Sequence, residues 1–105
     1  MGDASAAGAI VSAEPAFVVE AAYVTGAAEK RAPFREVHLE RMAKLEEEGA
    51  LVMAGAYEDL SASLLVLSVG SEKAVKAIIE SDVFWKNNVW DGYSIMRLNR
   101  VIFDG

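Results

Sequence analysis

Hydrophobic and polar positions change their period several times along this chain, and each change marks an element. "AFVVEAAYV" (Ala16–Val24) is rich in β-branched and aromatic residues and reads as a strand. Phe17, Val19 and Tyr23 point one way along it while Val18, Ala22 and Val24 point the other, so both of its faces are apolar. "TGAAEKRAP" follows as a loop, and Pro33 suits the first turn of a helix that runs to Glu48. Wound at about 100° per residue, that helix carries Phe34, Val37, Met42 and Leu45 on one face. Glu36, Glu40, Lys44 and Glu47 fall on the other. Gly49 stands where a left-handed C-cap is wanted.

"ALVMAGAY" (Ala50–Tyr57) reads as a second strand, and Gly55 in its interior marks a bulge or a close approach by a ligand or another backbone. "LLVLSV" (Leu64–Val69) is the continuous apolar run of a strand buried on both faces. Ser71 is placed to cap a second helix whose apolar stripe is Ala74, Val75, Ile78 and Ile79. "DVFWKNNVW" is irregular or a short extra helix, and "YSIMRLNRVIF" (Tyr93–Phe103) is a last strand. The order β-α-β-β-α-β predicts an α+β, ferredoxin-like fold. The first and third strands would lie at the centre of a four-stranded antiparallel sheet, with both helices on one face. The other face, apolar along the first strand, needs a cover, and a homodimer supplies it most economically.

A length of 105 residues fits one domain. Residues 1–14 are small and lack large apolar side chains at either structural period, so they read as a flexible tail, leaving 15–105 as the domain. Asp3 stands where a secretory signal needs basic residues. A net charge of −6 argues against nucleic acid or an anionic membrane as partner, and no apolar run is long enough to cross a bilayer. The chain has no cysteine, which excludes disulfides and thiolate chemistry and is compatible with a reducing cytoplasm.

Candidate chemistry centres on His38, the one histidine, near the middle of the first helix's apolar face. A lone histidine rules out a multi-histidine metal site within one chain, and no glycine loop suited to phosphates is present. Neither a metal nor a cofactor is therefore expected. Arg35 shares the flank of that face and Arg31 precedes the helix, so a guanidinium beside the imidazole would bind an anionic substrate. Asp82 follows the second helix, at a loop that this topology brings toward the first. A His–Asp hydrogen bond would fix the tautomer, as general-base work requires. A plainer reading stands beside this one. An inward histidine is more often a core residue bonded to a carbonyl, Asp82 in "SDVF" a cap, and Arg35 a helix residue laying its stem on apolar surface. Phe84, Trp85 and Trp90 would then be packing or dimer contacts.

The stretch "EKRAPFREVHLERMAKLEEEGALVMAGAY" resembles the YCII-related (YciI-like) family. Arg35, His38 and Leu39 match an Arg-x-x-His-Leu element opening the first helix. Gly49 and Leu51 match a Glu-Gly-x-Leu turn, Ala54 and Gly55 an Ala-Gly pair, and Asp82 and Phe84 an Asp-Pro-Phe/Tyr element after the second helix. Val83 and Ala56 replace prolines usual in the family, which loosens two loops beside the site. The resemblance implies a dimeric α+β barrel, in which two ferredoxin-like sheets pack face to face. It also implies a His38–Asp82 pair serving acid–base chemistry, with Arg35, Arg31, Gly55 and Phe84 around a small substrate. The expected activity is a cofactor-independent isomerase or lyase acting on a small anionic or aromatic molecule. The alternative is a dimeric protein that binds a small molecule, or only dimerises, without catalysis.

Overall fold

The computed structural model describes residues 10–103. β1 (Ile10–Tyr23) leads into α1 (Ala27–Arg31), a 3-10 turn (Ala32–Phe34) and α2 (Arg35–Glu47). β2 (Leu51–Ala56) and β3 (Ala62–Leu67) follow, then α3 (Glu72–Glu80), α4 (Val83–Lys86) and β4 (Trp90–Phe103). The sheet order is β2-β3-β1-β4 with every pairing antiparallel, so the first and third strands occupy the centre as the ferredoxin-like arrangement requires. The fold is α+β, and a single chain is an open sheet rather than a closed barrel. Among the described residues, no helix is long and apolar enough to cross a membrane.

Side-chain alternation decides which face is covered. Phe17, Val19 and Ala21 of β1 pair with Leu67, Leu65 and Ser63 of β3, and these positions are buried under the helices. Met42 of α2, Val75 and Ile79 of α3, Phe84 of α4 and the loop residue Val89 complete the core with Trp90. The opposite face carries Val18, Leu64 and Val66, half-buried, and Met53, Met96 and Leu98, exposed.

Three elements depart from the sequence reading. β1 starts at Ile10, so residues 10–14, expected in the flexible tail, belong to the strand; they pair with Arg100–Phe103 of β4. The two strands together satisfy backbone groups that neither could satisfy alone, which outweighs the segment's weak apolar pattern. Residues 1–9 lie outside the described residues. Pro15 is tolerated because β3 pairs with β1 only from Phe17 to Ala22, leaving one side of the strand open at Pro15. The expected loop after β1 is partly helical: Ala27–Arg31 has good helix formers throughout, Gly26 opens it at φ 75°, and Ala27 is buried. Of the two readings of Gly55, a bulge or a close approach, the bulge lies elsewhere, between Leu51 and Met53, while Gly55 stays in register opposite Leu64.

Both caps form as the sequence predicts. Ser71 accepts a bond from the Ala74 N–H at 3.1 Å. Gly49, at φ 84°, lets its own N–H reach the Glu46 carbonyl and the Ala50 N–H reach the Leu45 carbonyl. Those two bonds are the Schellman closure that turns the chain from α2 into β2.

Candidate functional site

α2 places His38 by simple periodicity. Phe34, His38, Met42 and Leu45 recur every three or four residues along its inner side, and His38 and Met42 are buried. Val37, assigned to that face from the sequence, is 56% exposed; His38 itself takes the central buried position. The imidazole stacks on the Phe84 ring at 4.0 Å between centroids with a tilt of 9°, and meets the edge of Trp90 at 5.4 Å. Two aromatic walls thus fix its orientation.

Asp82 closes the pair from the α3–α4 junction. His38 Nδ1 lies 2.9 Å from Asp82 Oδ1 and 3.0 Å from Oδ2. A carboxylate only accepts, so Nδ1 carries the hydrogen and the lone pair of the neutral ring sits on Nε2. Asp82 has no exposed surface. Its Oδ1 also accepts the Phe84 N–H at 2.8 Å, which starts α4, and its Oδ2 accepts from Arg41 Nη1 at 3.1 Å. Arg41 reaches Ser81 Oγ as well, at 2.6 Å. The capping role and the histidine-pairing role suggested by the sequence are therefore both real. Two cationic or polar donors and one backbone N–H surround the buried carboxylate, which is what a charge in that position needs.

A cleft of about 450 Å³ opens in front of His38, between α2 and the β2 side of the sheet. Phe84, Leu65, Met42 and Leu39 line it, as do Arg31 and Arg35. Gly55 also lines it, and among the described residues, its two chain neighbours aside, nothing comes within 4 Å of where a Cβ would stand there. Asp82 is not on the cleft surface; it sits behind the imidazole. Trp85 faces elsewhere, edge-on to Tyr93 at 5.3 Å. The geometry brings together His38, Asp82, Arg31, Arg35, Gly55 and Phe84 in or directly behind one cavity.

Two members escaped the sequence reading. Arg41 carries no signal of its own in the sequence beyond lying three residues from His38, on the same flank of α2. Tyr23 was assigned only to a strand face. Alternation sets it on the face of Phe17, Val19 and Ala21, and at the end of β1 that face borders the cleft. Its hydroxyl accepts from Arg31 Nη1 at 3.2 Å and bonds Ser63 Oγ at 2.8 Å; Ser63 in turn accepts from Trp90 Nε1 at 3.2 Å. Among the described residues no three or more metal-ligating side chains converge on one point.

The profile of the YCII-related domain matches residues 5–99. The chain belongs to the YCII-related family. That match starts ten residues ahead of Pro15, in keeping with the early start of β1. No curated protein matches the sequence. Among solved structures, the chain is similar to the 5-chloro-2-hydroxyhydroquinone dehydrochlorinase of Burkholderia phenoliruptrix, whose structure is a complex with 2,5-dihydroxybenzoquinone. The TM-score is 0.70 at 18% identity, covering 79% of this chain and 92% of that one. At that identity the likeness is one of fold.

Proposed function

We propose that this member of the YCII-related family is a cofactor-independent enzyme that moves protons on a small anionic or aromatic molecule, with His38 as general base and acid. The observation that carries the reading is the engagement of Nδ1 by Asp82 while the ring borders the cleft. That arrangement leaves Nε2 for the substrate and gives the imidazolium a buried counter-charge when it forms. Asp82 is then the orienting partner, and Arg35 and Arg31 stabilise the oxyanion or enolate that develops as the proton leaves.

Isomerisation or elimination fits this set, since either needs only proton movement. In an elimination, a C–H or O–H bond of the substrate breaks and its proton passes to Nε2. The freed pair forms the new double bond, and the leaving group departs with its own pair. The name of the structural neighbour, a dehydrochlorinase acting on 5-chloro-2-hydroxyhydroquinone, denotes such an elimination and supports this class.

The assay is a panel of chlorinated and unchlorinated hydroquinones followed by absorbance and chloride release. Turnover that falls by about a hundredfold or more in His38→Ala is expected, the usual scale of a lost general base. Binding without turnover of any member, or turnover indifferent to His38→Ala, would assign the protein to ligand binding alone.

The same reading includes a homodimer formed through the uncovered sheet face, where Met96 is 65% and Met53 50% exposed beside Val18, Leu64 and Val66. A contiguous apolar surface of this kind is the usual signature of an interface. The absence of cysteine supports a reducing compartment such as the cytoplasm as its place of work.

A further inference from the structure

The cleft holds a hydrogen-bond chain that the acid–base pair does not use. It runs from Trp90 Nε1 to Ser63 Oγ at 3.2 Å, from Ser63 to the Tyr23 hydroxyl at 2.8 Å, and from Arg31 Nη1 to that same hydroxyl at 3.2 Å. Indole and guanidinium N–H groups only donate. The two hydroxyls between them hold two hydrogens but share one contact, so one hydrogen is left over. Both hydroxyls line the cleft, but Ser63 is buried at 4% exposure whereas Tyr23 is half-buried, so a hydrogen left on Ser63 would be the one short of an acceptor. With Ser63 donating to Tyr23, the spare hydrogen belongs to the phenol, which borders the open cleft.

We infer that Tyr23 and Arg31 form an oxyanion subsite, in which the Tyr23 hydroxyl donates to a negatively charged oxygen on a single-ring substrate and Arg31 supplies the positive charge. This rests on the proposed acid–base reading and names the substrate class that reading leaves open: a phenolate or enolate. Three features agree. Strand alternation places Tyr23 on the face of Phe17, Val19 and Ala21, which at the end of β1 borders the cavity. The Arg31 guanidinium also lies over the Tyr23 ring, 5.6 Å from its centroid, so cation and phenol are held as a unit. Phe84 separates this unit from the base: its ring stacks on His38 at 4.0 Å and meets Tyr23 edge-on at 6.2 Å. A planar ring laid along Phe84 would present an oxygen to Tyr23 at one side and a proton to His38 at the other. The bond ordering also makes Tyr23 a positioning group before the reaction, since its acceptor lone pairs are already engaged.

The test uses para-nitrophenolate and its neutral shape-match para-nitroanisole, with binding to the full chain followed by absorbance and calorimetry. The native protein should bind the phenolate more tightly than the anisole. Tyr23→Phe should weaken phenolate binding about tenfold, the equivalent of about 1.4 kcal/mol, while leaving the anisole unchanged. Arg31→Met should abolish the preference for the anion, which keeps the test open if loss of the phenol perturbs Ser63. His38→Ala should keep the preference. No preference in the native protein, undiminished phenolate binding by Tyr23→Phe, or loss of it in His38→Ala alone would each overturn the subsite. The acid–base reading fails on a different result, turnover that survives His38→Ala, so the two failures are distinguishable.

Discussion

Asp82 carries more of this site than any other single side chain. It orients His38, anchors Arg41 and caps α4, all with no surface exposed. Asp82→Asn keeps the shape and an acceptor for the Phe84 N–H but removes the charge that the Arg41 guanidinium and the His38 Nδ1–H face. The variant is expected to lose about 1–3 kcal/mol in a urea melt, the cost of a buried polar group left short of its partner. Turnover should fall well beyond what that loss of folded protein explains. A stable, fully active variant would show that the pairing is incidental. His38 and Asp82 were legible in the sequence because one lies on a helical stripe and both match a family element. Arg41 was not, since its partner lies 41 positions further along the chain and nothing in α2 announces that contact. Tyr23 was hidden by its strand: alternation gives its face, whereas the opening of a cleft at that end of the strand depends on where α2 and β2 come to lie.

At the scale of elements, the turn from α2 into β2 fixes the distance between His38 and the far wall of the cleft. Gly49 makes that turn at φ 84°, where a side chain is strained even though open space surrounds it. Gly49→Ala should therefore cost about 1 kcal/mol by denaturant unfolding, with the loss arising in the backbone rather than in any contact. A neutral outcome would mean that the Schellman closure contributes little. A second link ties α3 to β4: the Tyr93 hydroxyl donates to Glu80 at 2.6 Å, and this bond to a carboxylate pushes the phenol up to about 12 from 10.0. A raised phenol stabilises the fold fully below its unfolded value and loses that contribution as pH rises from 10.0 toward about 12. The native protein should thus lose stability across that window more steeply than Tyr93→Phe, and parallel curves would discount the link. The strand and helix order was readable from periodicity. The short helix Ala27–Arg31 was not, because five residues span barely more than one turn and leave no periodic stripe.

For the molecule as a whole, the sheet has one face buried under helices and one apolar face that no element among the described residues covers. If two copies meet there, Met96→Glu should yield a folded monomer by light scattering, because Met96 is too exposed within one chain to support its core. An unchanged mass would move the interface elsewhere. The fold class followed from element order and apolar faces, but the length of β1 did not, since residues 10–14 gain their order from β4 and not from their own pattern. That extension has a consequence for how the protein behaves when crowded. β4 is an outer strand fourteen residues long, with unpaired amide and carbonyl groups along its free side. Such a border is a template on which a neighbouring chain can zip. Arg97 and Arg100, on either side of Leu98, put two positive charges on that strand, the kind of residue that discourages edge-to-edge pairing. Arg97→Ser with Arg100→Ser is therefore expected to lower colloidal solubility at high concentration while leaving the cleft, which neither arginine lines, unchanged.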